Sequence, residues 1–235
     1  MKIIFTDLDG TLLDHKSYAY APAKPALDYL HKHDIPIIFC TSKTSKEILF
    51  WKNKLDNTHP FISENGGGIF LPNDYFSKKI LADDHIKGYS IIRLGTPVSI
   101  LKEVIDELKE TFDITSFLDM TVEQLAENAD LSIEQAKLAK QREFSIPFIL
   151  LQPDKENDLK KEIKKHKVKL TKGGRFYHIM GDNDKGKAVN ILSSLYKNEN
   201  DRIESIGIGD SENDFSMLNS VDHAYLVKKS NDTYE

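Results

Sequence analysis

Residues 3–13, IIFTDLDGTLL, limit the fold of this chain more than any other stretch. The run is apolar enough for a buried strand. It ends by delivering two acids one residue apart, Asp7 and Asp9, and then turns at once through Gly10. Side chains alternate along a strand, so both carboxylates share a face if the extended geometry persists through Leu8. Asp before Gly is also common in ordinary turns. The stretch therefore proposes a paired-acid site without deciding it.

The surrounding pattern is an alternation of strands and helices. The segment 21–33, APAKPALDYLHKH, has proline near its start and Ala26, Leu27 and Leu30 at helical spacing, and IPIIFC (35–40) follows as a second buried strand, completing a βαβ unit. In TSKEILFWKNKL (44–55), Thr44 and Glu47 have the spacing of a capping box, and FIS (61–63) fits a third parallel strand. Near the end of the sequence, KGKAVNILSSLY reads as a helix, IESIGIG as a strand, ENDFSMLN as a short helix and HAYLV as a last strand. Between these halves the character changes. YSIIRLG, PFILLQ and KVKLT read as strands, while PVSILKEVIDELKETF and DKENDLKKEIKKH read as charge-rich amphipathic helices. The expected fold is α/β: a Rossmann-like parallel-sheet core formed by residues 1–76 and 176–235, with an inserted α+β cap domain at 77–175.

Composition removes several function classes. A chain of 235 residues can bury a full-sized core. A net charge of -5 argues against a nucleic-acid surface, which needs clustered Lys and Arg. The segment 120–142 could pass for a DNA-reading helix-turn-helix, but it carries Glu123, Glu127, Asp130 and Glu134, so two packed cap helices are expected there. The single cysteine, Cys40, lies in an apolar run; it excludes a disulfide framework and suggests a reducing compartment. With no secretory leader and no apolar stretch of about 18 residues, a cytoplasmic protein without membrane contact is expected.

A second strand repeats the design of the first. SIGIGDSEND (205–214) ends in Gly209 and Asp210, with Asp214 four residues further on. In a parallel sheet, ligand sites lie beyond the carboxyl ends of the strands, so Asp7, Asp9, Asp210 and Asp214 can converge there. Several carboxylates in one crevice need a cation, and oxygen-only ligands with room for water suit Mg²⁺. Thr41, Ser42 and Lys43 supply hydroxyls and an ammonium just before a helix start, which suits a phosphate. Lys185, or its neighbour Lys187, sits before another helix and could face the same crevice.

These four segments, DLDGT, a threonine after an apolar strand, a lysine before a helix, and GDSEND, together resemble the haloacid dehalogenase superfamily of phosphohydrolases. The resemblance implies Asp7 as nucleophile forming an aspartyl-phosphate and Asp9 as general acid and then base. It implies Mg²⁺ held by the Asp7 carboxylate, the Asp9 carbonyl and Asp210, with Asp214 and Asn213 in support. Thr41 and Lys185 would hold the transferring phosphoryl group. An Asp at position 9 favours phosphoryl transfer over dehalogenation.

Further stretches, SKT after Thr41, FISENGGGIFLP, REFSIPFILL and GGRFYHIMGDNDKGKAV, look like the mannosyl-3-phosphoglycerate phosphatase family, which frees the glycosylglycerate from its phosphate. By that resemblance Ser42, Lys43, Glu64, Asn65, Gly66 and Gly67 would line the pocket on the core side, joined by Arg142, Arg175 and His178. An arginine there would suit the planar glycerate carboxylate. The expected partner is a small phosphorylated, glycosylated substrate. Competing readings are a broader sugar-phosphate phosphatase, including one for the glucosyl ester, a phosphomutase on the same core, and a non-catalytic metal-binding protein. Relatives often run on beyond the point where this sequence stops, so a contact from such a tail would be either missing or supplied otherwise.

Overall fold

The computed structural model describes every residue except Lys16, Gly174, Arg175, residues 229–232 and Glu235. Strands β1 (Lys2–Thr6), β2 (Ile37–Cys40), β3 (Phe61–Ser63), β4 (Gly68–Pro72), β5 (Asp84–Ile86) and β6 (Tyr89–Arg93) come first in the chain. They are interleaved with helices α1 (Lys24–Lys32) and α2 (Ser45–Lys54). A second group follows: α3 (Val98–Leu108), β7 (Ile114–Ser116), α4 (Val122–Ala129), α5 (Ile133–Ala139), β8 (Ser145–Leu150), α6 (Glu156–Ile163), β9 (Lys169–Gly173) and β10 (Phe176–Met180). Helix α7 (Lys185–Lys197), β11 (Glu204–Gly209), α8 (Phe215–Leu218) and β12 (His223–Leu226) close the order.

Two sheets result. The larger runs β12-β11-β1-β2-β3-β4-β6-β5 and the smaller β7-β8-β10-β9. From β12 to β3 the large sheet is parallel, and from β4 onward it is antiparallel. Its alternating side chains fill two cores. Ile3, Phe5, Ile38 and Ile62 pack with Ala188, Val189 and Leu192 of α7. Phe39, Phe61 and Phe70 pack on the opposite face with Ile48 and Trp51 of α2. Full burial of one such phenylalanine is worth about 2–3 kcal/mol, which pins the register and with it the strand ends. In the small sheet, Ile146, Phe148, Tyr177 and Ile179 face α3 and α6, while Ile149 and Phe176 on the reverse meet the α4 and α5 cluster.

The α/β core with a second α+β layer is as expected, and the third strand is parallel to the second. The sheet boundaries differ from those expected at 76/77 and 175/176. Strands β5 and β6 extend the large sheet, and β10 belongs to the small one. The cause is the tight turn after β3, which folds β4 back antiparallel so that β6 can add to its free edge. A short strand shows its own pattern in sequence but not its partner. The two helices at 122–139 pack on each other, each opened by a capping box, Thr121 with Gln124 and Ser132 with Gln135. No helix among the described residues is long and apolar enough to cross a membrane.

Candidate active site

Asp7 follows directly on β1, and its backbone N–H donates to Ile208 O at 2.9 Å, tying the exits of β1 and β11 together. That pairing brings the Asp7 and Asp210 carboxylates to one sheet edge. Asp7, Asp210 and Asp214 each offer an oxygen, all within 4.8 Å of one another. Lys185, the first residue of α7, is fully buried. Its ammonium donates to Asp7 Oδ1 at 2.6 Å and to Asp214 Oδ1 at 2.5 Å. The other oxygen of Asp214 accepts the backbone N–H groups of Asp210 and Ser211, at 3.0 and 3.1 Å. Asp214 is thus engaged on both oxygens, one by the Lys185 ammonium and the other by backbone N–H groups. Asp210 Oδ1 accepts from Thr11 Oγ1 at 3.1 Å and from Ser211 Oγ at 3.3 Å.

Gly10 makes this convergence sterically feasible. It has φ +79°, and a Cβ there would stand 2.6 Å from Asp210 Oδ2. Burial, reinforced by Asp214 and Asp9, pushes the Asp7 carboxyl up to about 7 against the pull of Lys185. Burial and Asp214 likewise raise Asp210. Three carboxylates face a single ammonium, which leaves two negative charges among hard oxygen donors. A divalent cation of the Mg²⁺ kind fits that donor set and charge.

Asp9 lies apart from the cluster. Strand β1 ends at Thr6, Leu8 turns into the core, and the shared face expected from strand periodicity ends with it. The Asp9 carboxylate turns to Lys43, whose ammonium sits 2.8 Å from Oδ2, while Oδ1 is buried without a hydrogen-bond partner among the described residues. Lys43 also lies 3.6 Å from Glu47 and over the Tyr18 ring at 4.9 Å. These carboxylates hold the Lys43 ammonium well above its usual range despite burial.

Thr41 is fully buried at the end of β2. Its carbonyl accepts Asn65 N–H at 3.0 Å, and Ser42 next to it presents its carbonyl to Arg142 Nη2 at 3.0 Å. Between the two lysines left open by sequence, Lys185 faces the acids; Lys187 pairs on the surface with Asp182 at 2.7 Å. Asn213 donates to Asn65 Oδ1 at 3.1 Å.

Glu64 and Arg142, expected to line a substrate pocket, are engaged with protein. Glu64 accepts Glu143 N–H at 2.8 Å, Phe144 N–H at 3.1 Å and Ser145 Oγ at 2.7 Å, with Arg142 Nε 3.3 Å away. Arg142 Nη2 also donates to Ser145 Oγ at 2.6 Å. A carboxylate with this many donors has little left for a ligand. Gly66 and Gly67 are closed in as well: a Cβ on Gly66 would meet Asp184 O at 2.1 Å, and one on Gly67 would meet Phe144 Cβ at 2.5 Å. His178 lies in the middle of β10 on the face opposite the α3 and α6 core, and its Nδ1 is buried without a hydrogen-bond partner among the described residues. Burial and Arg142 push its pKa down to about 3, so the ring is neutral. Arg175 falls outside the described residues. Thr11 and Asn183, which the sequence reading passed over, take part through Asp210 and through the carbonyls of Glu64 and Asn65. Thr11 carried a signal, a hydroxyl two residues past Asp9 in the same turn; Asn183 carried none.

The paired strand exits, the lysine bridging two acids, and the sheet order define a class, and comparison with known proteins agrees. The chain belongs to the haloacid dehalogenase-like hydrolase family, whose model matches residues 4–234. It is 45% identical over 99% of its length to the glucosyl-3-phosphoglycerate/mannosyl-3-phosphoglycerate phosphatase of Methanococcoides burtonii, covering 87% of that protein. It is 35% identical over 97% of its length to the mannosyl-3-phosphoglycerate phosphatase of Pyrococcus furiosus, covering 91% of it. Among solved structures, a Thermoplasma acidophilum protein superposes with a TM-score of 0.69 at 20% identity, covering 99% of this chain and 94% of that one. A subclass IIB sugar phosphatase of the haloacid dehalogenase superfamily does so at 0.66 and 14% identity, covering 96% and 94%. By its family and these relatives, the chain is an enzyme of the phosphatase kind.

Proposed function

We propose that this enzyme removes the phosphate from a glycosylated 3-phosphoglycerate, mannosyl or glucosyl, through an aspartyl-phosphate on Asp7, with Mg²⁺ as cofactor, in the cytoplasm. The observation that carries the chemistry is the Lys185 ammonium bridging Asp7 and Asp214 beside Asp210. The substrate class rests on the named activities of the relatives.

In this reading, Asp7 Oδ2, the oxygen not held by Lys185, attacks phosphorus as the ester bond breaks. Asp9 gives its proton to the departing alkoxide, then takes one from the water that attacks the acyl phosphate and frees Asp7. Lys185 offsets the repulsion between an anionic ester and a carboxylate nucleophile, and Thr41 donates to a phosphoryl oxygen. Asp7 and Asp210 would hold Mg²⁺, which when bound would supply further charge neutralisation at the phosphoryl group. Lys43 lies beside Asp9 and so beside the leaving group. Its ammonium, the Nδ1 of His178 and, by resemblance, Arg175 are the groups offered to the glycerate carboxylate and sugar.

The test is phosphate release with Mg²⁺ from mannosyl- and glucosyl-3-phosphoglycerate, free 3-phosphoglycerate and hexose phosphates, each with an EDTA control. Preference for a glycosylated ester supports the reading. Equal rates on hexose phosphates reduce it to a broader sugar-phosphate phosphatase. Transfer of phosphate to a second position of a sugar marks a phosphomutase.

A further inference from the structure

The turn between β3 and β4 is held in a costly conformation. Glu64, Asn65 and Gly66 are consecutive left-handed residues, with φ of 47°, 54° and 86°. Left-handed backbone is disfavoured for a residue that carries a Cβ, and such strain persists only where the surroundings enforce it.

Here the surroundings are the catalytic loops. Glu64 N–H donates to Lys43 O and Asn65 N–H to Thr41 O, both at 3.0 Å, so the turn fixes the backbone on either side of Ser42. Asn183, two residues before Lys185, donates to Glu64 O and Asn65 O at 3.3 and 3.2 Å. Asn213, next to Asp214, donates to Asn65 Oδ1. From the opposite side the segment before β8 docks on the same turn through the Glu64 carboxylate. Phe144 is wedged against Gly67, Gly68 and Gly95, where any Cβ would come within 3 Å of its side chain. Ser45 Oγ also donates to Glu143, and Thr44 Oγ1 donates to Leu138 O at 3.0 Å.

We propose that Glu64 is a positioning residue, whose carboxylate sets the small-sheet layer against the loops that carry Thr41, Lys185 and Asp214. Without touching substrate, it makes the grip of that layer on the leaving group depend on the same turn that aligns the phosphate-binding groups. This goes beyond the substrate reading above; it rests only on the phosphatase site.

The test compares the wild-type chain with Glu64→Gln and with Ser145→Ala, the milder variant should the first not fold. Gln keeps the shape but sets an NH₂ against donors, leaving a buried N–H unpaired. The expected result is local: amide exchange at Glu143 and Phe144 speeds up by about tenfold or more, while that of Ile4 and Phe5 in β1 is unchanged. In the same variants, KM for the glycosylated ester rises by a larger factor than KM for p-nitrophenyl phosphate. Unchanged exchange at Glu143 and Phe144, or equal acceleration throughout, overturns the proposal. If the wild-type chain hydrolyses p-nitrophenyl phosphate but no glycosylated phosphoglycerate, the substrate reading fails, and the exchange result still decides the role of Glu64.

Discussion

Lys43 Nζ stands 2.8 Å from Asp9 Oδ2, so the acid two residues past Asp7 is oriented by the loop after β2 and not by the acidic cluster. In the proposed mechanism, removing that ammonium frees Asp9 to turn away from the leaving group. Lys43→Met is expected to lower kcat by about ten- to a hundredfold on alkyl phosphate esters, whose poor leaving group needs the proton. The loss on p-nitrophenyl phosphate, a better leaving group, is expected to be smaller. Comparing the two rates in one variant checks the assignment.

In the proposed mechanism Asp7 carries the nucleophilic oxygen, and its amide analogue keeps the shape but not the charge. Asp7→Asn is expected to lose about a thousandfold or more in kcat, in line with other essential nucleophiles. Phosphate release under single-turnover conditions is the measurement; a rate within tenfold of wild type would remove Asp7 from its role.

Lys185 is buried between two carboxylates, and replacing it leaves them facing each other without a counter-charge. Lys185→Met is expected to cost about 3–5 kcal/mol of stability in urea unfolding. Because the cost comes from uncompensated acids, the double variant with Asp7→Asn should recover part of it. A double-mutant cycle reads that coupling.

The cation argument predicts a stability effect separate from activity. Adding Mg²⁺ to EDTA-treated protein should raise the thermal midpoint of the wild-type chain, since a ligand that binds only the folded state stabilises it. Asp210→Asn should respond weakly or not at all, and EDTA should abolish phosphate release from wild type.

Lys52 gives a pH prediction remote from the site. It lies buried on α2, donating to His59 O and, at 3.2 Å, to Asn57 Oδ1, and burial pushes its pKa down to about 7. Between that value and the ordinary lysine range of about 10, the unfolded chain binds a proton that the folded chain does not. Stability therefore rises with pH across this window, and the cost is fully present below it. Lys52→Met should flatten that slope in urea unfolding measured from pH 7 to pH 10; an unchanged slope would show that Lys52 keeps its charge when folded.

Much of this was legible in the sequence because it depends on local order. The apolar runs of β1, β2 and β11 declared a parallel sheet, and the rule that sites lie at strand exits brought Asp7 and Asp210 together. The helix start at Thr44 was carried by a side-chain cap within three residues.

What only the tertiary structure decided depends on partners distant in sequence. Strand periodicity put Asp9 beside Asp7, but the strand stops at Thr6, and Lys43, brought close by the packing of β1 on β2, claims the carboxylate. Motif resemblance put Glu64 and Arg142 in a pocket, but a buried carboxylate must take whatever donors surround it, and those come from residues 143–145, some eighty positions away. The sequence by itself determined which groups could do chemistry and the sheet edge where they meet. Which of them face substrate and which hold the protein together was decided by burial, because desolvated charges must be satisfied by neighbours that no local pattern specifies.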